Sequence, residues 1–117
     1  MKRVINLRNK KVIVEKLEIA ASMKARLIGL MGRSHLLTGS GMLLKQSGNS
    51  IHTCFMKFPI DVAFITKSGE VKYISTQIKP WRMVIAPVFA STDCLELPAG
   101  TIKNSDTQIG DTLSVED

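Results

Sequence analysis

The chain has 117 residues, 44% hydrophobic and 5% aromatic, enough for one domain around a single core. With one Trp (Trp81) and one Tyr (Tyr73), it has too few rings for an aromatic platform that would stack single-stranded nucleic acid. The net charge of +6 resides in the first part, where residues 1–45 hold ten Lys or Arg against Glu15 and Glu18, while residues 46–117 hold six against eight acids.

Val4 to Leu7 and Lys11 to Ile19 read as strands, the second alternating with period two, and Asn9-Lys10 can turn between them. Ser22 is a candidate N-cap, and Met23, Leu27, Leu30 and Met31 follow at helical spacing, which predicts one short amphipathic helix near residues 22–31. Gly29 inside that helix costs about 1 kcal/mol relative to Ala. Residues 33–50 are loop-rich, with Met42-Leu43-Leu44 as a buried strand. Ile51 to Met56 and Ile60 to Thr66 are predicted strands, separated by a bend at Pro59. Lys67-Ser68-Gly69-Glu70 turns into a partner strand, Val71 to Ile78, and so predicts a β-hairpin. After the corner Pro80-Trp81-Arg82 come short strands at Met83 to Ile85 and Cys94 to Leu97, one helical turn at Thr101 to Ser105, and a last strand at Thr112 to Val115. Many short strands with regular turn signals predict a mainly β (β-rich α+β) fold: a single compact domain, barrel-like or two-sheet, carrying one helix.

The charge asymmetry offers a basic face for phosphate or anionic lipid. No nucleic-acid motif accompanies it, so a solvated basic N-terminal half is the preferred reading and nucleic acid is not the expected partner. No run approaches the roughly 18 apolar residues of a membrane span. Asn6, Arg8, Asn9, Lys10 and Lys11 interrupt the apolar stretch that a signal peptide needs, so the expected location is the cytoplasm. Two cysteines, Cys54 and Cys94, make no disulfide framework and are expected as thiols.

The segment from Ser50 to Ile65 sets His52, Cys54 and Asp61 into an apolar run, and a polar group buried there without a partner costs roughly 1–3 kcal/mol. His52 and Cys54, two apart, share a face if the segment is a strand. They could form an activated thiolate or two soft metal ligands, with a third from His35, Asp61 or Cys94. A buried Cys behaving as a small hydrophobe is the more ordinary reading, and neither a metal nor a cofactor is expected. Asp61 either works as an acid, base or orienting group, with Arg26 and Arg82 as ionic partners, or ties down a loop after the proline. Glu96, between Leu95 and Leu97, points away from the face those two bury and is expected at a solvated or edge position. As the second carboxylate of an acid/base pair it would have to share a cleft with Asp61. Trp81 and Arg82 form either a binding corner or a plug for one end of the fold. The common nucleotide-binding, zinc-protease and hydrolase motifs are absent.

Arg26 with Gly29-Leu30-Met31, Gly41-Met42-Leu43, Thr53-Cys54-Phe55-Met56 with Pro59-Ile60-Asp61-Val62 and Phe64, Leu95 to Gly100, and Gly110-Asp111 form five blocks in order. In these the chain resembles the prokaryotic family called domain of unknown function 192, from about Ala20 to Val115. Many members have Trp where this chain has Phe55, and an aromatic exchange there suits a core role. The resemblance implies a small, mostly β domain and no particular reaction. Some members carry secretion or lipoprotein signals, which are not expected here. The function expected is that of a non-catalytic binding module for an anionic or peptide ligand, using Arg26, His52, Asp61, Trp81 and Arg82. The alternatives are a small enzyme using Cys54 with His52 or Asp61 with Glu96, and an anionic-surface or nucleic-acid binder working through the basic N-terminal half.

Overall fold

The structure, a computed structural model, describes residues 2–22, 30–88 and 93–117. Three of its strands, β1 (Arg3–Asn6), β2 (Val12–Val14) and β10 (Leu113–Glu116), form an antiparallel sheet in the order β10-β1-β2. A five-stranded sheet runs β3-β4-β9-β6-β7, from β3 (Lys16–Ala20), β4 (Ser40–Leu44), β9 (Asp93–Pro98), β6 (Ile60–Ile65) and β7 (Val71–Ile78). Its β3–β4 pair is parallel and the others are antiparallel. A two-stranded antiparallel arm pairs β5 (Ser50–His52) with β8 (Met83–Ile85). One helical turn, α1 (Thr101–Asn104), follows β9. The expected mainly β class holds, but among the described residues the strands make three open sheets rather than a closed barrel. The predicted helix near 22–31 falls mostly on residues 23–29, outside the described residues.

The five-stranded sheet is the middle layer, which is why β6 and the first five residues of β9 are buried on both faces. Leu95, Leu97, Ala63 and Ile65 face one core with Val4, Val14 and Leu113 of the three-stranded sheet. Val62, Phe64 and Cys94 face a second core with Ile51 and Val84 of the arm. Each fully buried Leu, Ile or Phe contributes about 1.5–3 kcal/mol, so these two layers hold most of the stability.

The predicted strand from Lys11 to Ile19 is two strands in different sheets. Its corner is Glu15, where the N–H groups of Glu15 and Lys16 both donate to the Gly39 carbonyl, at 2.7 and 3.1 Å. Gly41 explains the close fit beside it: a Cβ there would lie 2.8 Å from a Val14 methyl. The predicted strand from Ile51 to Met56 stops at His52. The chain then turns, and Phe55 takes a left-handed φ of 65°.

Candidate functional site

Asp61 is fully buried in β6. One carboxylate oxygen accepts the N–H of Gln77 at 2.8 Å; the other accepts those of Gly100 at 3.1 Å and Ile102 at 3.0 Å. Gly100, at φ 95°, is the residue before α1, so Asp61 tethers the β9–α1 turn and the end of β7 to the middle sheet. No arginine bonds to it among the described residues. Arg82 is exposed and reaches only the Pro80 carbonyl, at 3.4 Å, and Arg26 lies outside the described residues.

Glu96 is buried, not solvated. It stands opposite Val62 across the β6–β9 ladder, whereas Asp61 stands opposite Leu97. Residues directly opposite in an antiparallel ladder point to the same face, so Asp61 and Glu96 lie on opposite faces of one sheet and share no cleft. Glu96 Oε1 finds no partner among the described residues, and burial pushes its carboxyl up to about 7. Cys94, on the same face, is fully buried, and burial together with the nearby Glu96 and Asp93 carboxyls raises its thiol well above the ordinary range.

His52 is exposed at the end of β5 and Cys54 lies in the following turn. The His52 Nδ1 accepts the backbone N–H of Cys54 at 3.1 Å, which occupies the ring nitrogen with backbone rather than with the thiol. Among the described residues no three His, Cys, Asp or Glu side chains gather as a metal site.

His52, Trp81 and Arg82 do share a region, the arm. Its register pairs Ser50 with Ile85, Ile51 with Val84 and His52 with Met83. Ile51 and Val84 turn inward to the second core, so Ser50, His52, Met83 and Ile85 form the outer face. Met83 is 71% and Ile85 64% exposed. At the arm's end Phe55, 62% exposed, packs against Trp81, 58% exposed, in a tilted contact with ring centroids 4.6 Å apart and ring planes at 58°. Both residues hold left-handed backbone, each at φ 65°.

Thr53, fully buried, fixes that end. Its hydroxyl donates to the Lys79 carbonyl at 2.7 Å and accepts the Arg82 N–H at 2.9 Å, and its carbonyl accepts the Trp81 N–H at 3.0 Å. No sequence motif marks Phe55, Met83, Ile85 or Thr53 as site residues. The only signal available was the pair of prolines, Pro80 and Pro87, that isolate an apolar triplet between them.

The sequence model of the family DUF192, described as "Uncharacterized ACR", matches residues 4–115. The chain belongs to this family. It is 30% identical over 112 residues to the UPF0127 protein PF1050 of Pyrococcus furiosus, covering 94% of this chain and 95% of that one. Two crystal structures share its fold. A Sinorhizobium meliloti protein, provisionally described as a transcription regulator, has a TM-score of 0.84 at 24% identity, over 97% of this chain and 91% of that chain. A Novosphingobium aromaticivorans protein of unknown function has a TM-score of 0.82 at 19% identity, over 97% and 82%.

Several blocks that carry the DUF192 resemblance meet in space as fastenings. Asp61 of the central block holds Gly100 of the closing one. Asp111 of the last block accepts Asn6 Nδ2 at 2.8 Å, Arg8 Nε at 2.7 Å and the Gln108 N–H at 2.8 Å, and the Arg8 guanidinium foremost pulls its carboxyl down to about 2. Among the described residues the Met83 and Ile85 side chains on the arm's exposed face serve no such fastening. The basic N-terminal half is also partly spent on ion pairs: Lys2 with Asp117, Arg8 with Asp106 and Asp111, Arg33 with Glu18, and Lys45 with Asp93. Among the described residues no helix is long and apolar enough to cross a membrane.

Proposed function

We propose that this member of DUF192 is a non-catalytic interaction module that docks an extended acidic peptide segment of a partner protein on the β5–β8 arm. The observation that carries the reading is the exposed, tilted Phe55–Trp81 ring pair at the end of a strand pair whose outer face shows Met83 and Ile85 to water. Folding alone gives no reason to leave four large apolar side chains together outside, and such patches mark interaction sites. Aromatic anchors are also the residues that dominate interface energetics.

Charge selects the partner. Residues 46–60 and 71–88 contain no Asp or Glu, while Lys57, Lys79 and Arg82 are exposed and have no ion pair among the described residues. The strands supply the geometry. Thr53 N–H donates to Arg82 O and Ala86 N–H to Asn49 O, so these are hydrogen-bonded pairs of the arm. The alternating pairs Ser50–Ile85 and His52–Met83 therefore turn their backbone groups outward, where an added strand would find them. Pro80 and Pro87 flank β8 and limit the added strand to a few residues. The unpaired Cys54 and Cys94 support placing the module in a reducing compartment such as the cytoplasm.

An array of short synthetic peptides alternating apolar residues with either Glu or Lys tests this. The wild-type protein should retain the Glu series, and Trp81→Ala should lose that retention at an unchanged melting temperature. Equal retention of the Lys series, equal retention by Trp81→Ala, or binding only to phosphatidylglycerol vesicles would each overturn the peptide reading.

A further inference from the structure

A cavity of about 540 Å³ opens on the side of the molecule away from the arm, between the three-stranded sheet and one end of the middle sheet. Its floor is the shared core of the two sheets: Val4, Leu43, Ile65, Leu95 and Leu113 line it, all buried. Leu7, Ile19 and Val115 also line it, and each of these is a large apolar side chain left exposed. Among the described residues three lysines also line it, Lys2, Lys45 and Lys67; Lys2 pairs with Asp117 at 2.9 Å, and the carboxylate in the lining, Asp93, is tied to Lys45 Nζ and the Gln46 N–H, both at 2.9 Å.

One wall is set by a backbone contact. Gly69, in the β6–β7 turn, packs so closely on β10 that a Cβ would collide with the Leu113 carbonyl oxygen. That contact holds Thr66 to Ser68 at the cavity's edge. Lys67 stands there with no ion pair among the described residues.

We propose that this cavity binds a small amphiphile with an aliphatic body and an anionic head, of the alkyl carboxylate class. The size lies within the range of small-molecule sites. The apolar floor and exposed apolar lining favour an apolar body, and Lys67, the lining lysine with no ion pair among the described residues, favours a negative head. Among the described residues no aromatic side chain lines the cavity to stack on a nucleobase or other flat ligand. The site shares no residue with the arm and does not depend on the peptide reading.

Isothermal titration of the full chain with octanoate, decanoate and dodecanoate, kept below micellar concentrations, tests the assignment. One site should appear, tightening about fourfold for each added methylene, the factor that burial of one methylene supplies. Lys67→Glu should weaken dodecanoate about tenfold, and dodecyltrimethylammonium should not bind the wild type. Trp81→Ala should bind dodecanoate unchanged. In methyl-labelled protein, dodecanoate should shift the Leu43, Leu95 and Leu113 resonances. Equal binding of the cationic amphiphile, no dependence on chain length, or shifts confined to the arm would overturn the proposal.

Discussion

The middle sheet and the arm are built from unusual residues placed in opposite ways. In the sheet the exceptions are polar side chains inside, and Asp61 there has both oxygens filled by backbone N–H groups from β7, the β9–α1 turn and α1. In the arm the exceptions are apolar side chains outside: Phe55 and Trp81 meet each other, and Met83 and Ile85 face water. A buried polar group with its bonds satisfied is explained by the fold it holds together. An exposed apolar group is not, since leaving it in water forgoes the burial that drives folding. The contrast separates scaffold from face: residues of the sheet should control stability, and residues of the arm should control binding.

The largest break in that contrast comes from Asp61→Ala. It strands three backbone donors at about 1–3 kcal/mol each, so urea denaturation should show a loss of about 3 kcal/mol or more. A loss below about 1 kcal/mol would mean that Asp61 is not the fastening described.

Glu96 sharpens it with the opposite sign. Its carboxyl is raised in the folded chain to about 7 from 4.5, so the unfolded chain gives up its proton first as pH rises. Stability is therefore full below pH 4.5, falls between 4.5 and about 7, and levels off above. Glu96→Gln should flatten that fall and gain up to about 3 kcal/mol at pH 8, with little change at pH 4. Denaturation curves at the two pH values check it, and parallel pH profiles for both proteins would contradict it.

Thr53→Val joins the two regions. It removes the hydroxyl that holds Lys79 and Arg82, which should cost about 1–3 kcal/mol and also weaken peptide retention, because Trp81 and Arg82 lose their anchor. Retention unchanged on the array would show that the Thr53 anchor does not shape the binding face. The smallest effect on stability belongs to Met83→Glu, expected within about 0.5 kcal/mol of wild type because the side chain is exposed. The same substitution should abolish retention of acidic peptides, and a large drop in melting temperature would show that the arm's outer face belongs to the scaffold.

Much of this fold was legible because the strands are apolar runs punctuated by Gly and Pro. The β6–β7 hairpin, the short strand after Trp81-Arg82 and the helical turn after Gly100 stand where those signals put them. What was hidden depends on distant partners. The corner at Glu15 is made by the Gly39 carbonyl, and a backbone acceptor leaves no mark in the sequence. A carboxylate such as Asp61 suggests arginine partners, whereas its partners are backbone N–H groups that any residue but proline could supply. Alternation put Glu96 on the second face of its strand correctly, but it could not tell that this face is also covered. The exchange of one aromatic for another at Phe55 suits a core role, whereas Phe55 has left-handed backbone and lies exposed against Trp81.

The division between scaffold and face is tested most directly by amide and indole shift mapping of the labelled protein, titrated with the Glu-series peptide the array retains best. The account predicts that the largest shifts fall on Ser50, His52, Phe55, the Trp81 indole, Met83 and Ile85, with Asp61 and Glu96 unmoved. Shifts centred on the middle sheet, or spread evenly over the molecule, would contradict it.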